Sequence, residues 1–265
     1  MHLKRWLTAI IAVPILILLV GPGPRWLFYS VICAASLAGL LEYYTVTAAH
    51  LTKSVRWITC ILTVSLFAAI YLRQIMLVPA IILLWALIPM TLFMLADPRG
   101  QSTEDLGNAL LGPVYVALPL ALLILIDLRP KGPTWIFFLL TVIFASDTGA
   151  FYFGKLLGKH KLYEAVSPNK TWEGAIGGMV SSIMAAFFFL RLFGPCRPDL
   201  KAAILVIILC LAGQVGDLCE SMLKRNHAVK DSGHILPGHG GILDRIDGLL
   251  FAIPVLYVYL SLNLP

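Results

Sequence analysis

Ala202–Leu223, AAILVIILCLAGQVGDLCESML, is the stretch whose reading decides the fold. Crossing a bilayer takes ~20 mostly apolar residues, and this run has that length and character. At 100° per residue, Gln214, Asp217, Glu220, Ser221 and the following Lys224 fall within about a third of the helix circumference. Leu, Val and Ile fill the rest. A membrane helix with a single polar face lines a cavity or an interface with another helix. A salt-bridge network between helices, Asp217 with Lys224 or Arg245 for example, is the alternative reading.

The whole chain has the same character. Of its 265 residues, 59% are hydrophobic and 13% charged, against about 25% charged in soluble domains, and the mean hydropathy is +0.88. No soluble core could hide that much apolar surface, so the expected class is all-α: a polytopic membrane helix bundle of about nine transmembrane helices. The candidates are Leu7–Val20, Trp26–Val46, Trp57–Leu72, Ile75–Leu95, Leu106–Ile126, Trp135–Phe153, Trp172–Phe193, Ala202–Leu223 and Ile246–Leu262. Backbone polar groups in lipid must be paired within the segment, which favours helices over strands. Pro79, Pro89, Pro113 and Pro119 predict kinks. The first segment, followed by Gly21-Pro22-Gly23-Pro24, reads as a retained helix that forms a hairpin with the second. The chain is expected to be one integral membrane unit, with residues 1–130 as scaffold and 131–265 carrying the site.

With nine spans, the N-terminus and the even-numbered loops share one side. That side carries 13 of the 20 Lys and Arg residues, so the positive-inside rule places it in the cytoplasm. The net charge of +6 suits anionic partners such as phospholipid headgroups or nucleotides. Nucleic acid is not expected, because no soluble basic domain is present to bind it. The five cysteines are scattered without CxxC spacing and imply neither a disulfide framework nor a zinc site.

Ionisable residues in membrane helices are costly and are candidates for function. Asp147, Asp217, Glu220 and Asp247 all lie toward the cytoplasmic ends of their segments. Hard oxygen ligands of this kind suit Mg²⁺, which takes one or two carboxylates together with substrate phosphates and water. The loop after Leu223 adds Lys224, Arg225, Lys230 and Arg245, cations suited to phosphate oxygens. Its glycines, including Gly240 and Gly241, allow close backbone approach to phosphate. His227, His234 and His239 lack metal-ligand spacing and suit hydrogen bonding to phosphate or ordering of the loop. A second constellation is Ser167-Pro168-Asn169-Lys170-Thr171-Trp172-Glu173-Gly174. There Ser167 is the expected N-cap and Pro168 the first helical residue, with Lys170 beside a helix start open to phosphate. Gly174, Gly178 and Ser182 form a small-residue stripe for close helix packing, which suits a homodimer or contacts within one chain.

The run Ser221-x-x-Lys224-Arg225-x-x-x-x-Lys230-Asp231-x-Gly233-x-x-Leu236-Pro237-x-His239-Gly240-Gly241-x-x-Asp244-Arg245-x-Asp247 resembles the signature of the phosphatidate cytidylyltransferases (CDP-diacylglycerol synthases). Ser146-Asp147-Thr148, Ser167 to Gly174 and Gly216-Asp217-Leu218-x-Glu220-Ser221 resemble further blocks of that family. The motifs cover roughly Ser146–Asp247; the N-terminal half matches only in being apolar and polytopic. The resemblance implies transfer of CMP from CTP to phosphatidic acid, giving CDP-diacylglycerol and pyrophosphate, with Mg²⁺. On that basis Asp217 and Asp247 are expected to hold the metal, with Asp147 a third ligand or their neighbour. Lys224, Arg225 and Lys230 would hold the triphosphate, with Ser167 and Ser221 among the substrate contacts. Lys170, Arg245 and His239 would steady the lipid phosphate or CTP, and Asp244 would orient Arg245. For a bacterial chain, the implied location is the cell (inner) membrane with the site on the cytoplasmic side. The rival readings are a CDP-alcohol phosphotransferase, whose Asp-Gly-x-x-Ala-Arg block is absent here, and an ion transporter using the same acids.

Overall fold

The computed structural model describes residues 14–95, 103–233 and 240–262. Residues 14–20 are helical, so the expected segment Leu7–Val20 lies only partly within the described residues. Beyond it come α1 (Arg25–Thr47), α2 (Lys53–Tyr71) and α3 (Val78–Leu95), the last preceded by a 3₁₀ turn at Ile75–Leu77. Next are α4 (Thr103–Gly112), a π turn (Pro113–Ala117) and α5 (Leu118–Asp127), which together form one span. The remaining helices are α6 (Gly132–Leu157), α7 (Trp172–Phe193), α8 (Leu200–Asn226) and α9 (Leu243–Leu262). Eight helical segments among the described residues are long and apolar enough to cross a membrane. The chain is thus a multi-pass, all-α membrane bundle.

The prolines act in different ways. Pro79 lies in the first turn of α3, where its missing N–H has no intrahelical role. Pro89 lies inside α3. Pro113 opens the π turn: a proline interior to a span removes one hydrogen bond, and here the ladder widens for one turn.

Helix α7 shows how packing follows from sequence. Gly174, Gly178 and Ser182 face inward and are buried, while Trp172, Ile176, Val180, Met184 and Phe188, spaced four apart, are exposed. The small face lies on α6: Ser182 Oγ donates to Val142 O at 2.8 Å, and a Cβ on Gly178 would come 2.7 Å from Ser146 O. The stripe therefore serves contact within the chain. The opposite face is the one left for lipid.

The connection between α6 and α7 departs from expectation. Lys161–Tyr163 (β1) and Ser167–Thr171 (β2) pair antiparallel, with Lys161 opposite Thr171 and Tyr163 opposite Ser167. Ser167 is therefore a strand residue, not a helix cap, and Pro168 is not the first helical residue. A two-stranded ribbon is all edge, and an edge strand tolerates proline. The true cap is Thr171, whose side chain accepts from Gly174 N at 3.1 Å. Glu173 reaches back to Lys159 N at 3.1 Å and His160 Nδ1 at 2.6 Å, fixing the approach to the ribbon.

At the opposite end of the bundle, buried Asp127 meets Arg25 Nη1 at 3.1 Å and accepts from Tyr29 OH at 2.8 Å. Arg129 donates to Leu260 O at 3.0 Å and Ser261 Oγ at 2.7 Å. These contacts tie α1, α5 and α9 together, so Asp127 is committed to structure.

Candidate functional site

Three helices bring carboxylates to one end of the bundle: Asp147 from α6, Asp217 from about the last three turns of α8, and Asp247 from the start of α9. Asp147 and Asp247 each lie within electrostatic reach of Asp217, and Asp247 within that of Asp147. Strand β2 adds Lys170, whose Nζ is 2.6 Å from Asp217 Oδ2. The hairpin places that lysine over the acids, a role the sequence assigned to a helix start.

Glycine makes the α8–α9 approach possible. A Cβ on Gly216 would lie 2.6 Å from Asp247 O, so any larger residue would push the two acid-bearing helices apart. Gln214 Nε2 donates to Ala175 O at 3.0 Å, tying α8 to α7. The result is a cavity of about 550 Å³ lined by Asp147, Phe151, Lys155, Lys170, Gln214 and Asp217 among others. Ser167 also lines it. Cations and acids thus meet an apolar wall formed by Ala150, Phe151 and Leu162.

A second cluster lies at the α8–α9 junction. Lys224 Nζ is 2.5 Å from Glu220 Oε2 and 2.7 Å from Asp244 Oδ1. Lys224 therefore pairs with neither Asp217 nor an open surface; it ties α8 to α9. Asp244 turns back on the preceding loop, accepting from Ser232 N at 3.0 Å, Ser232 Oγ at 2.9 Å and Gly241 N at 2.8 Å. Its partners thus include Lys224 and the loop. Gly240 has φ +76°, and a Cβ there would come 2.6 Å from Asp244 Oδ2, so this turn requires glycine.

Of the other expected site residues, Ser221 is half-buried on α8, and Arg225, Lys230 and Arg245 are exposed. Arg225 Nε donates to Val166 O at 3.4 Å, linking α8 to the hairpin. His239 lies outside the described residues.

The sequence reading missed Glu42 of α1. It is 6% exposed and accepts hydrogen bonds from Ile242 N and Leu243 N at the start of α9. The signal was available: Glu42 is a lone acid within an apolar membrane-length run.

Among the described residues, no three Asp, Glu, His or Cys side chains converge tightly enough to cage a metal by themselves. Mg²⁺ rarely needs such a cage; one or two carboxylates plus substrate oxygens suffice. The all-oxygen donors of Asp217 and Asp247, with Asp147 alongside, fit that pattern.

Fold and site together define a polytopic membrane protein whose acidic, lysine-bearing pocket at one bundle end suits a phosphorylated substrate. The chain belongs to the cytidylyltransferase family, whose family model matches residues 3–263. It is similar to the phosphatidate cytidylyltransferase of Bacillus subtilis (strain 168), with 44% identity over 160 residues, 60% of each chain. The Staphylococcus saprophyticus protein of the same name is 42% identical over 159 residues, again 60% of each chain. In both alignments the chain spans about 60% of the relative's length. The Staphylococcus haemolyticus phosphatidate cytidylyltransferase is 37% identical over 269 residues, covering 97% of this chain and 98% of that one.

Proposed function

We propose that the protein transfers CMP from CTP to phosphatidic acid, giving CDP-diacylglycerol and pyrophosphate. The observation that carries this reading is the meeting of Asp147, Asp217 and Asp247 with Lys170 at one end of a membrane bundle, beside a cavity that is part cationic and part apolar. A soluble triphosphate and a lipid phosphate require that combination of environments. Family membership and the names of the relatives support the same reaction.

The phosphate oxygen of phosphatidic acid is already anionic, so it needs no strong general base. It attacks the α-phosphorus of CTP; the bond from that phosphorus to the oxygen bridging the β-phosphate breaks, and pyrophosphate leaves. Catalysis then consists of positioning and of neutralising charge on the phosphate oxygens. Asp217 and Asp247, with Asp147 alongside, would hold Mg²⁺. When bound, that ion would offset the charge on the phosphate oxygens. Lys170 sits on Asp217 and is placed to move onto a phosphate as substrate arrives. Arg225 and Lys230, both exposed, extend the cationic surface toward the leaving group. Arg245 and His239 are proposed for the lipid phosphate or CTP, with Ser167 and Ser221 as further contacts. Lys224 supports the site from within by joining α8 to α9. Acyl chains would remain among the helices, along the apolar wall near Phe151.

The basic end of the bundle is proposed to face the cytoplasm, the source of CTP. The experimental test is substitution of the acids: Asp217→Asn and Asp247→Asn should each abolish CTP-dependent turnover in protein that still folds. Wild-type turnover in either variant would remove that carboxylate from the proposed metal site.

A further inference from the structure

We infer that Glu42, far from the motif region in sequence, is a positioning residue for the transfer: it caps α9 from outside and so places Asp247 and Arg245. This inference rests on the proposed cytidylyl transfer. A carboxylate buried near the end of an apolar membrane helix is expensive unless it is fully hydrogen-bonded. Glu42 meets that condition with groups some two hundred residues away. Oε1 accepts from Ile242 N at 3.0 Å and Oε2 from Leu243 N at 2.8 Å, while Ser232 Oγ, which shares its one proton with Asp244 Oδ2, lies 3.2 Å from Oε2.

The two amides lie at the start of α9, where N–H groups have no intrahelical acceptor and the helix dipole favours an anion. The residue before the helix, Ile242, has no side-chain acceptor, and the first-turn acid Asp244 is turned to Ser232, Gly241 and Lys224. Capping is thereby passed to α1. The loop is shaped around the carboxylate: a Cβ on Gly233 would lie 2.5 Å from Glu42 Oε1, and one on Gly241 would collide with Glu42 Oε2. Asp247 lies about one helical turn beyond Leu243, ~6 Å along the axis. Release of the cap is therefore felt directly at the acid. A misplacement of about 1 Å can cost roughly 10²-fold in rate.

The test uses the full chain in detergent, with Glu42→Gln and the shorter Glu42→Asp, which draws the carboxylate away from both amides. Folding is checked by thermal unfolding. Expected are a loss in kcat of roughly tenfold or more, KM for each substrate within about twofold, and faster amide hydrogen exchange confined to residues 240–247. A purely structural role would lower the amount of folded protein without this split between kcat and KM. Should Glu42→Gln fail to fold, Glu42→Asp decides alone. Unchanged exchange at 240–247, or faster exchange with wild-type kcat, would overturn the inference. Wild-type protein without CTP- and phosphatidate-dependent turnover would instead sink the proposed function.

Discussion

Replacing Lys224 with methionine preserves side-chain length, removes the charge and leaves Glu220 and Asp244 without their shared partner. In the folded protein the ammonium lies 2.5 Å from Glu220 and 2.7 Å from Asp244. The three side chains are 16%, 2% and 9% exposed, in that order. Glu220 Oε1 is also buried with no hydrogen-bond partner among the described residues, so water offers Glu220 little relief. Removing one partner of a buried ion pair costs about 3–5 kcal/mol, because the remaining charge is uncompensated. With 1.4 kcal/mol per factor of ten, the folded-to-unfolded ratio should fall by roughly 10²–10³-fold or more. Adding Glu220→Gln removes the stranded charge, and the double variant should recover about 1–3 kcal/mol relative to the sum of the singles. Denaturant unfolding in detergent of wild type, both singles and the double closes the cycle. A Lys224→Met cost below about 1 kcal/mol, the usual worth of an exposed pair, or strictly additive effects, would refute the internal tie and return Lys224 to the pool of phosphate-binding cations.

Two further outcomes follow from the packing and from the hairpin. Gly178→Leu should separate α6 from α7, since even a Cβ would sit 2.7 Å from Ser146 O; overpacking costs about 1–3 kcal/mol, and unchanged stability would contradict this helix contact. Lys170→Gln should barely change stability, because the Lys170–Asp217 pair is 27% and 40% exposed and such pairs contribute about 0–1 kcal/mol. It should weaken substrate use roughly tenfold or more, as expected for loss of a charged hydrogen bond to phosphate. Large destabilisation with unchanged kinetics would assign Lys170 to structure alone.

The membrane bundle was legible because hydrophobic length is set by bilayer thickness, a constraint that every span must meet separately. Segments such as Trp172–Phe193 emerged with their expected bounds. The acids were legible for the same reason: Asp147, Asp217 and Asp247 stand out against apolar neighbours. Partner choice was less accessible. The sequence offered Lys224 to Asp217 or to substrate with nothing to separate them, because helix rotation and depth are set by tertiary packing at positions such as Gly216. The hairpin at Lys161–Thr171 was hidden by Ser167-Pro168, a dipeptide that suits a helix start as well as an edge strand. Glu42 stood out as a lone acid in an apolar run, but its partners, Ser232 and the amides of Ile242 and Leu243, lie some two hundred residues away and carry no mark in sequence.

The most direct measurement is product formation by the purified wild-type protein in detergent, with labelled CTP, phosphatidic acid and Mg²⁺. Expected are pyrophosphate release in step with a labelled CDP-lipid, and neither product when CTP or phosphatidic acid is omitted. Pyrophosphate released without phosphatidic acid, or no label transferred to lipid with both substrates present, would contradict it.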